Sequence, residues 1–162
     1  MQIRSKTEDD QQWVRELLTE HWGGAMVVAH GQVFEADGLP ALVAGDREGL
    51  ATYRISADGR EAELVTLDAR APGRGTGTAL IAGLARLLRA RGVATLRLTT
   101  TNDNLTALRF YQRRGFRIAA VRPGAVATAR RLKPTIPELG EHGIPIRDEI
   151  ELALTLEPGR RA

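Results

Sequence analysis

Between Asp68 and Thr78 the chain reads Asp-Ala-Arg-Ala-Pro-Gly-Arg-Gly-Thr-Gly-Thr, and what flanks this turn limits the fold more than any other feature. Before it, Glu63–Leu67 is an apolar-rich run of strand type. After it, Leu80, Ile81, Leu84, Leu87 and Leu88 recur at helical spacing and stop before Gly92, the pattern of a long amphipathic helix. Alternate glycines permit a turn whose amides point inward, and the helix start behind it adds free N–H groups. Such a place suits phosphate, and Arg74 is able to add a charge-assisted contact. A tight strand–helix turn without a ligand is the alternative. A P-loop would need Gly-Lys-Ser/Thr, and no lysine is present. The dinucleotide pattern G-x-G-x-x-G would need a third glycine where Thr78 or Leu80 stands. Both are excluded.

Around this unit the chain predicts further strands and helices. Ala41–Ala44, Leu50–Ile55 and Glu63–Leu67 are strand-like runs separated by Gly45-Asp46 and Asp58-Gly59. The second separator predicts a hairpin with a type I′ turn, so the three runs read as an antiparallel meander. Upstream lies a short strand, Gln2–Arg4. Thr7-Glu8-Asp9-Asp10 then resembles a capping box and opens a helix carrying Trp13, Leu17, Leu18 and His21, closed by Gly23-Gly24. Up to Pro40 a loop and a second short helix are expected. Downstream, Val93–Thr100 reads as a strand, Leu105–Arg114 as a helix closed by Gly115, and Phe116–Val121 as a strand. Gly124–Leu132 reads as a basic helix and Ile146–Leu156 as a last strand. Prolines at 134, 137 and 145 mark Lys133–Pro145 as an extended loop. The order predicts an α/β (α+β) chain of one domain over 1–162, with a mixed, mostly antiparallel six- to seven-stranded sheet flanked by helices.

Composition removes several classes of function. Cysteine is absent, which excludes disulfides, thiolate zinc sites and a cysteine nucleophile. His21, His30 and His142 show no ligand spacing and read as surface or loop residues, so no metal is implied. No apolar run approaches the roughly 20 residues that span a bilayer, and the N-terminus lacks a signal-peptide core. A soluble cytoplasmic protein is expected. The net charge of +3 is small for a nucleic-acid binder, although of 23 basic residues only Lys6 and Lys133 are lysine. Arginine suits phosphate, but solvated arginines from compositional bias explain the same count. Arg109, Arg113, Arg114 and Arg117 come closest to a basic face, and acidic residues elsewhere nearly balance them.

The segment Asn104-Leu105-Thr106-Ala107-Leu108-Arg109-Phe110-Tyr111-Gln112-Arg113-Arg114-Gly115-Phe116 carries a second pattern. Asn104, Ala107 and Tyr111 stand at i, i+3 and i+7, on one helix face, with Tyr111 roughly 10 Å along the axis from Asn104. Ala107 leaves room between them for a slender ligand. The segment resembles the N-x-x-A-x-x-F-Y-x-x-x-G-F signature of the GNAT superfamily of N-acetyltransferases, with every position filled. Gly75-Thr76-Gly77 likewise resembles the glycine half of that family's pyrophosphate loop, Q/R-x-x-G-x-G/A, whereas Pro72 departs from its Q/R position. The resemblance covers roughly Leu50–Val121.

What the resemblance implies is an acetyl-CoA-dependent N-acetyltransferase whose sheet is splayed between the fourth and fifth predicted strands. Pantetheine would pair there with backbone groups of Leu67 and Ala69. Arg74, Gly75, Thr76, Gly77 and Thr78 would hold the pyrophosphate, Asn104 would reach the pantetheine amides, and Ala107 would line the arm. An amine would attack the thioester directly in a ternary complex, with Tyr111 protonating the leaving sulfur and a main-chain N–H near Leu67 meeting the oxyanion. Glu61 and Glu63 share a strand face, and Glu63, nearer the splay, is the expected base. A non-catalytic acyl-CoA-binding regulatory module is the alternative; it would need neither Tyr111 nor a base. The expected partner is a small-molecule amine or a peptide or protein amine, not nucleic acid or membrane, and a homodimer stays open. Trp22, His142, Asp148 and Glu149 are candidate acceptor contacts, pairing of Asp148 or Glu149 with arginines being equally open.

Overall fold

In a computed structural model, which describes residues 1–156, the elements in chain order are β1 (Ile3–Ser5), α1 (Gln11–Trp22), β2 (Met26–Ala29), β3 (Gln32–Glu35), β4 (Ala41–Ala44), β5 (Gly49–Ile55), β6 (Glu61–Ala69), α2 (Thr76–Ala90), β7 (Thr95–Thr101), α3 (Leu105–Arg113), β8 (Arg117–Arg122), α4 (Ala125–Leu132) and β9 (Glu149–Thr155). Seven strands form one sheet in the order β1-β4-β5-β6-β7-β9-β8. Its neighbours are antiparallel except β6 and β7. The mixed, mostly antiparallel sheet expected from the sequence is therefore present.

The stretch before Pro40 departs from expectation. Instead of a second short helix it forms the β2–β3 hairpin, a two-stranded sheet of its own, followed by a short 3-10 turn over Ala36–Gly38. The hairpin turns on His30-Gly31, both at positive φ (41° and 76°), the geometry that matches strand twist in a two-residue turn. The other hairpin, β5–β6, turns where expected but not as a type I′. Only Gly59 takes positive φ (71°), and its N–H donates to the Ser56 carbonyl at 2.9 Å.

Two apolar layers enclose the sheet. On one face α2 buries Leu80, Leu84 and Leu88 completely against Leu42, Ala51, Leu64, Leu96 and Leu152, with Tyr111 and Phe116 from the α3 region. Each such leucine contributes about 2 kcal/mol by leaving water. On the other face Val14, Leu17 and Leu18 of α1 pack with Val27, Phe34, Val43 and Leu50, which seats the hairpin on the same side.

A bulge in β6 decides which side chains meet. Thr52 pairs with Thr66 and Tyr53 with Leu64, so Val65 is an extra residue. Leu50, Thr52 and Arg54 share one face of β5 by the two-residue period. Their partners Asp68, Thr66 and Glu63 therefore share it too, despite odd and even spacing. This is the α1 face.

One polar anchor holds the N-terminal segment. Asp10 is buried and accepts from Arg4 Nη1 (2.7 Å), Arg47 Nε (3.1 Å) and the Thr7 amide (2.9 Å). The Arg4 bond leads in holding this carboxyl well below the usual carboxylate range, against the effect of burial. A carboxyl depressed on folding stabilises the fold above its unfolded pKa, and that stability drains as pH falls towards the folded value. Asp10→Asn should therefore cost about 2 kcal/mol at pH 7 and flatten the acid limb of thermal stability below about pH 4, measured as Tm against pH. An unchanged acid limb would contradict the assignment.

Candidate active site

The pairing of β6 with β7 is short: Glu61 with Thr95, Ala62 with Leu96, Glu63 with Arg97, and then it stops. Beyond it β6 stays paired only with β5, as far as Ala69, and β7 only with β9, as far as Thr101. Between the diverging strands lies a cavity of about 130 Å³ lined by Leu64–Leu67, Leu98–Thr100, Trp22, Asn104, Ala107 and Tyr111. The splay falls where the sequence resemblance put it.

At one end the gap opens into a cavity of about 660 Å³ whose walls include Leu67, Ala69, Gly75, Thr76, Gly77 and Thr78. Asn104, Ala107 and Tyr111 wall it from α3. Gly75 caps α2 at φ 77°, which aims the first amides of a 15-residue helix at this space. Gly77 is needed for a different reason: a Cβ there would stand 3.1 Å from Phe110 Cζ, so α2 and α3 meet at this glycine. Arg74 is exposed and is not among the residues that wall the cavity. The arginine that does wall it is Arg114, stacked 3.7 Å over the Phe110 ring and donating to Thr78 Oγ1 at 2.9 and 2.6 Å.

Asn104 caps α3 through Oδ1, which accepts from the Ala107 amide at 3.1 Å, and its Nδ2 is left to donate. Tyr111 is buried, and burial first, then the nearby Asp68 carboxylate, push its phenol pKa up, so it stays protonated at neutral pH. Asp68 itself is buried. Desolvation raises its pKa against bonds from His21 Nδ1 (2.9 Å) and Trp22 Nε1 (3.1 Å).

At the other end the gap meets two spaces that share Glu63. One, of about 160 Å³, is lined by Trp22, Val27, Phe34, Thr99, Asn104 and Glu149 among others. The next, of about 440 Å³, lies under the hairpin tip and is lined by His30, Arg54, Glu61, Glu63, Arg97 and Glu151. His30 Nε2 stands 2.5 Å from Glu63 Oε1, and the His30 amide donates to Glu149 at 3.1 Å. The glycine-rich loop, the Asn104–Tyr111 face and a half-buried carboxylate thus stand along one trench.

The family model for the acetyltransferase (GNAT) family matches residues 8–116. The chain belongs to that family. Over 154 residues the acetyltransferase is 39% identical to the uncharacterized protein YdhI of Bacillus subtilis strain 168, covering 93% of this chain and 95% of the relative. Its fold is similar to that of an IAA acetyltransferase from Bacillus cereus ATCC 14579, with a TM-score of 0.72 at 20% identity over 95% of this chain and 99% of that one. It is also similar to a GNAT family acetyltransferase from Elizabethkingia anophelis with acetyl-CoA bound, with a TM-score of 0.63 at 19% identity over 95% and 97%.

His21 is exposed and His30 sits on the hairpin turn, in keeping with their reading as surface or loop residues, and each also partners a carboxylate, Asp68 and Glu63, at opposite ends of the gap. His142 is exposed in a 3-10 turn, and Asp148 accepts from the Gly124 amide at 2.8 Å at the start of α4. Glu149 is paired with Arg122 at 3.2 Å and lines the trench as well. Gly77→Val should lower thermal stability by about 1–3 kcal/mol through overpacking on Phe110, and Phe110→Leu in the same chain should recover part of the loss. Additive losses in that double-mutant cycle would show that the two side chains do not meet.

Proposed function

We propose that this acetyltransferase, as one domain over 1–162, carries an acetyl group from acetyl-CoA to an amine by direct attack in a ternary complex. The observation behind this reading is the unpaired gap between β6 and β7, flanked by free α2 amides. Pantetheine is an extended chain with two amides and needs main-chain partners. After Glu63 alternate backbone groups of β6, with Leu67 and Ala69 in the expected register, turn away from β5 and have no strand beside them. The amides of Arg74–Thr78 suit the pyrophosphate. Asn104 Nδ2 suits a pantetheine carbonyl, and the small Ala107 keeps the passage open.

Bound there, acetyl-CoA supplies an electrophilic thioester carbonyl and a thiolate leaving group. The chain's own groups manage the protons. Tyr111, a phenol already protonated at neutral pH and held further from ionising by burial, holds a proton at its hydroxyl for the leaving sulfur. A primary amine with a pKa of about 10 arrives charged and must lose a proton. Glu63 stands where the gap meets the outer trench, with one oxygen held by His30 and the other left to order a water against the amine. A main-chain N–H near Leu67 would meet the oxyanion. A module that only bound acyl-CoA would need neither group, and both line the trench.

Tyr111→Phe should lower kcat about 100-fold while calorimetry shows little change in acetyl-CoA affinity. An unchanged kcat would mean that solvent protonates the sulfur. Glu63→Gln should lower kcat/KM at least about tenfold, whereas Glu61→Gln, whose carboxylate serves Arg97 at 3.1 Å, should stay within about twofold. The reverse order would move the base to Glu61.

A further inference from the structure

The outer trench carries charges that the proposed transfer does not use, and their pairing is uneven. Arg97 bridges Glu61 and Glu151, both at 3.1 Å. Glu151 also holds Arg122 at 3.3 Å, and Glu63 holds His30. Each carboxylate lining the cavity of about 440 Å³ therefore already has a cationic or imidazole partner. Arg54 lines the same cavity, and among the described residues it has no carboxylate within salt-bridge distance. Its guanidinium lies 5.2 Å from the Phe34 ring centroid. That cation–π contact orders the side chain without consuming its donors.

Arg54 and Glu63 are cross-strand partners on the α1 face, which puts their Cβ atoms about 5 Å apart. Yet Glu63 turns to His30 rather than to Arg54. A ligand spanning the two would meet a free five-donor fork at one end and the carboxylate that receives the amine's proton at the other. We infer that the acceptor is a zwitterion, an amine carrying a carboxylate a few bonds away, as in an amino acid, with its carboxylate on Arg54 and its amine at Glu63. This rests on the acetyl-transfer reading above and narrows it to a substrate class. Beyond Glu63, a polycationic amine would find Glu61 and Glu151 already paired with arginines and the unmatched Arg54 repelling it. A bidentate arginine–carboxylate contact is the geometry that selects such a ligand.

The test compares acetylation of α-, β- and γ-amino acids with that of the corresponding decarboxylated amines and of spermidine. A charged hydrogen-bonded contact of this kind corresponds to about 10- to 100-fold in kcat/KM in favour of the carboxylated acceptors. Arg54→Gln should collapse that ratio towards one by raising the KM for carboxylated acceptors, and Arg54→Lys should restore part of it. A wild-type preference for decarboxylated amines or spermidine would overturn the inference, as would a ratio unmoved by Arg54→Gln. Transfer to no amino acid by an enzyme that acetylates other amines would overturn it too. Acetyl-CoA affinity, read by calorimetry on the same samples, reports separately on the donor site: its absence would strike the transfer reading itself.

Discussion

Two strands that run side by side in the sheet cannot both leave their facing edges empty without cost, because buried backbone N–H and C=O groups need partners. β6 and β7 do so after Glu63 and Arg97. They are held apart because each keeps its other neighbour, β6 through the Gly49–Ala69 pair and β7 through the Thr101–Glu149 pair. Trp22, Asn104 and Tyr111 stand at the opening. A fold that maintains such a gap has a ready place for an extended ligand that brings its own amides, the added-strand mode of recognition. The helix that follows β6 starts beside that place, so its amides lie within reach of the ligand's charged end.

The bulge at Val65 joins this constraint to the chemistry. It brings Glu63 to the same face as Thr66 and Asp68, on the side of α1 and the hairpin rather than in the α2 core. On that side the walls come from segments remote in sequence. His30 from the hairpin meets Glu63 and Glu149, and Lys133 at the end of α4 donates to the Trp22 and Met26 carbonyls at 3.0 and 2.7 Å. Burial lowers the pKa of that lysine. The glycine-turn end of the trench is thus shaped largely by local turns and helix starts, with His21–Asp68 and Arg114–Thr78 as long-range contacts, and the outer end mostly by long-range ion pairs.

That division explains what could be read in the sequence. The glycine turn, α2 and the Asn104–Tyr111 face announce themselves through local spacing, and the splay came with the family resemblance they support. The β2–β3 hairpin did not, because its strands are four residues each and its turn uses histidine where asparagine or aspartate would have signalled positive φ. Asp58-Gly59 marked the right turn with the wrong type, since only the glycine takes left-handed geometry. His21 and His30 find their partners 47 and 33 residues away, a separation no spacing rule covers. Val65 carries no sign of a bulge. Arg114 was seen only as one member of a basic stretch, and its stacking on Phe110 depends on α2 and α3 meeting at Gly77.

The central claim is that acetyl-CoA completes the sheet at the gap. Hydrogen exchange resolved at single amides, with and without saturating acetyl-CoA, tests it most directly. The account expects gap-facing amides between Val65 and Ala69 and those at the start of α2 to exchange readily in the free protein and to become protected on binding, while the β5-facing amides of the same strand change little. Tight binding that leaves the Val65–Ala69 amides as fast as before would contradict it.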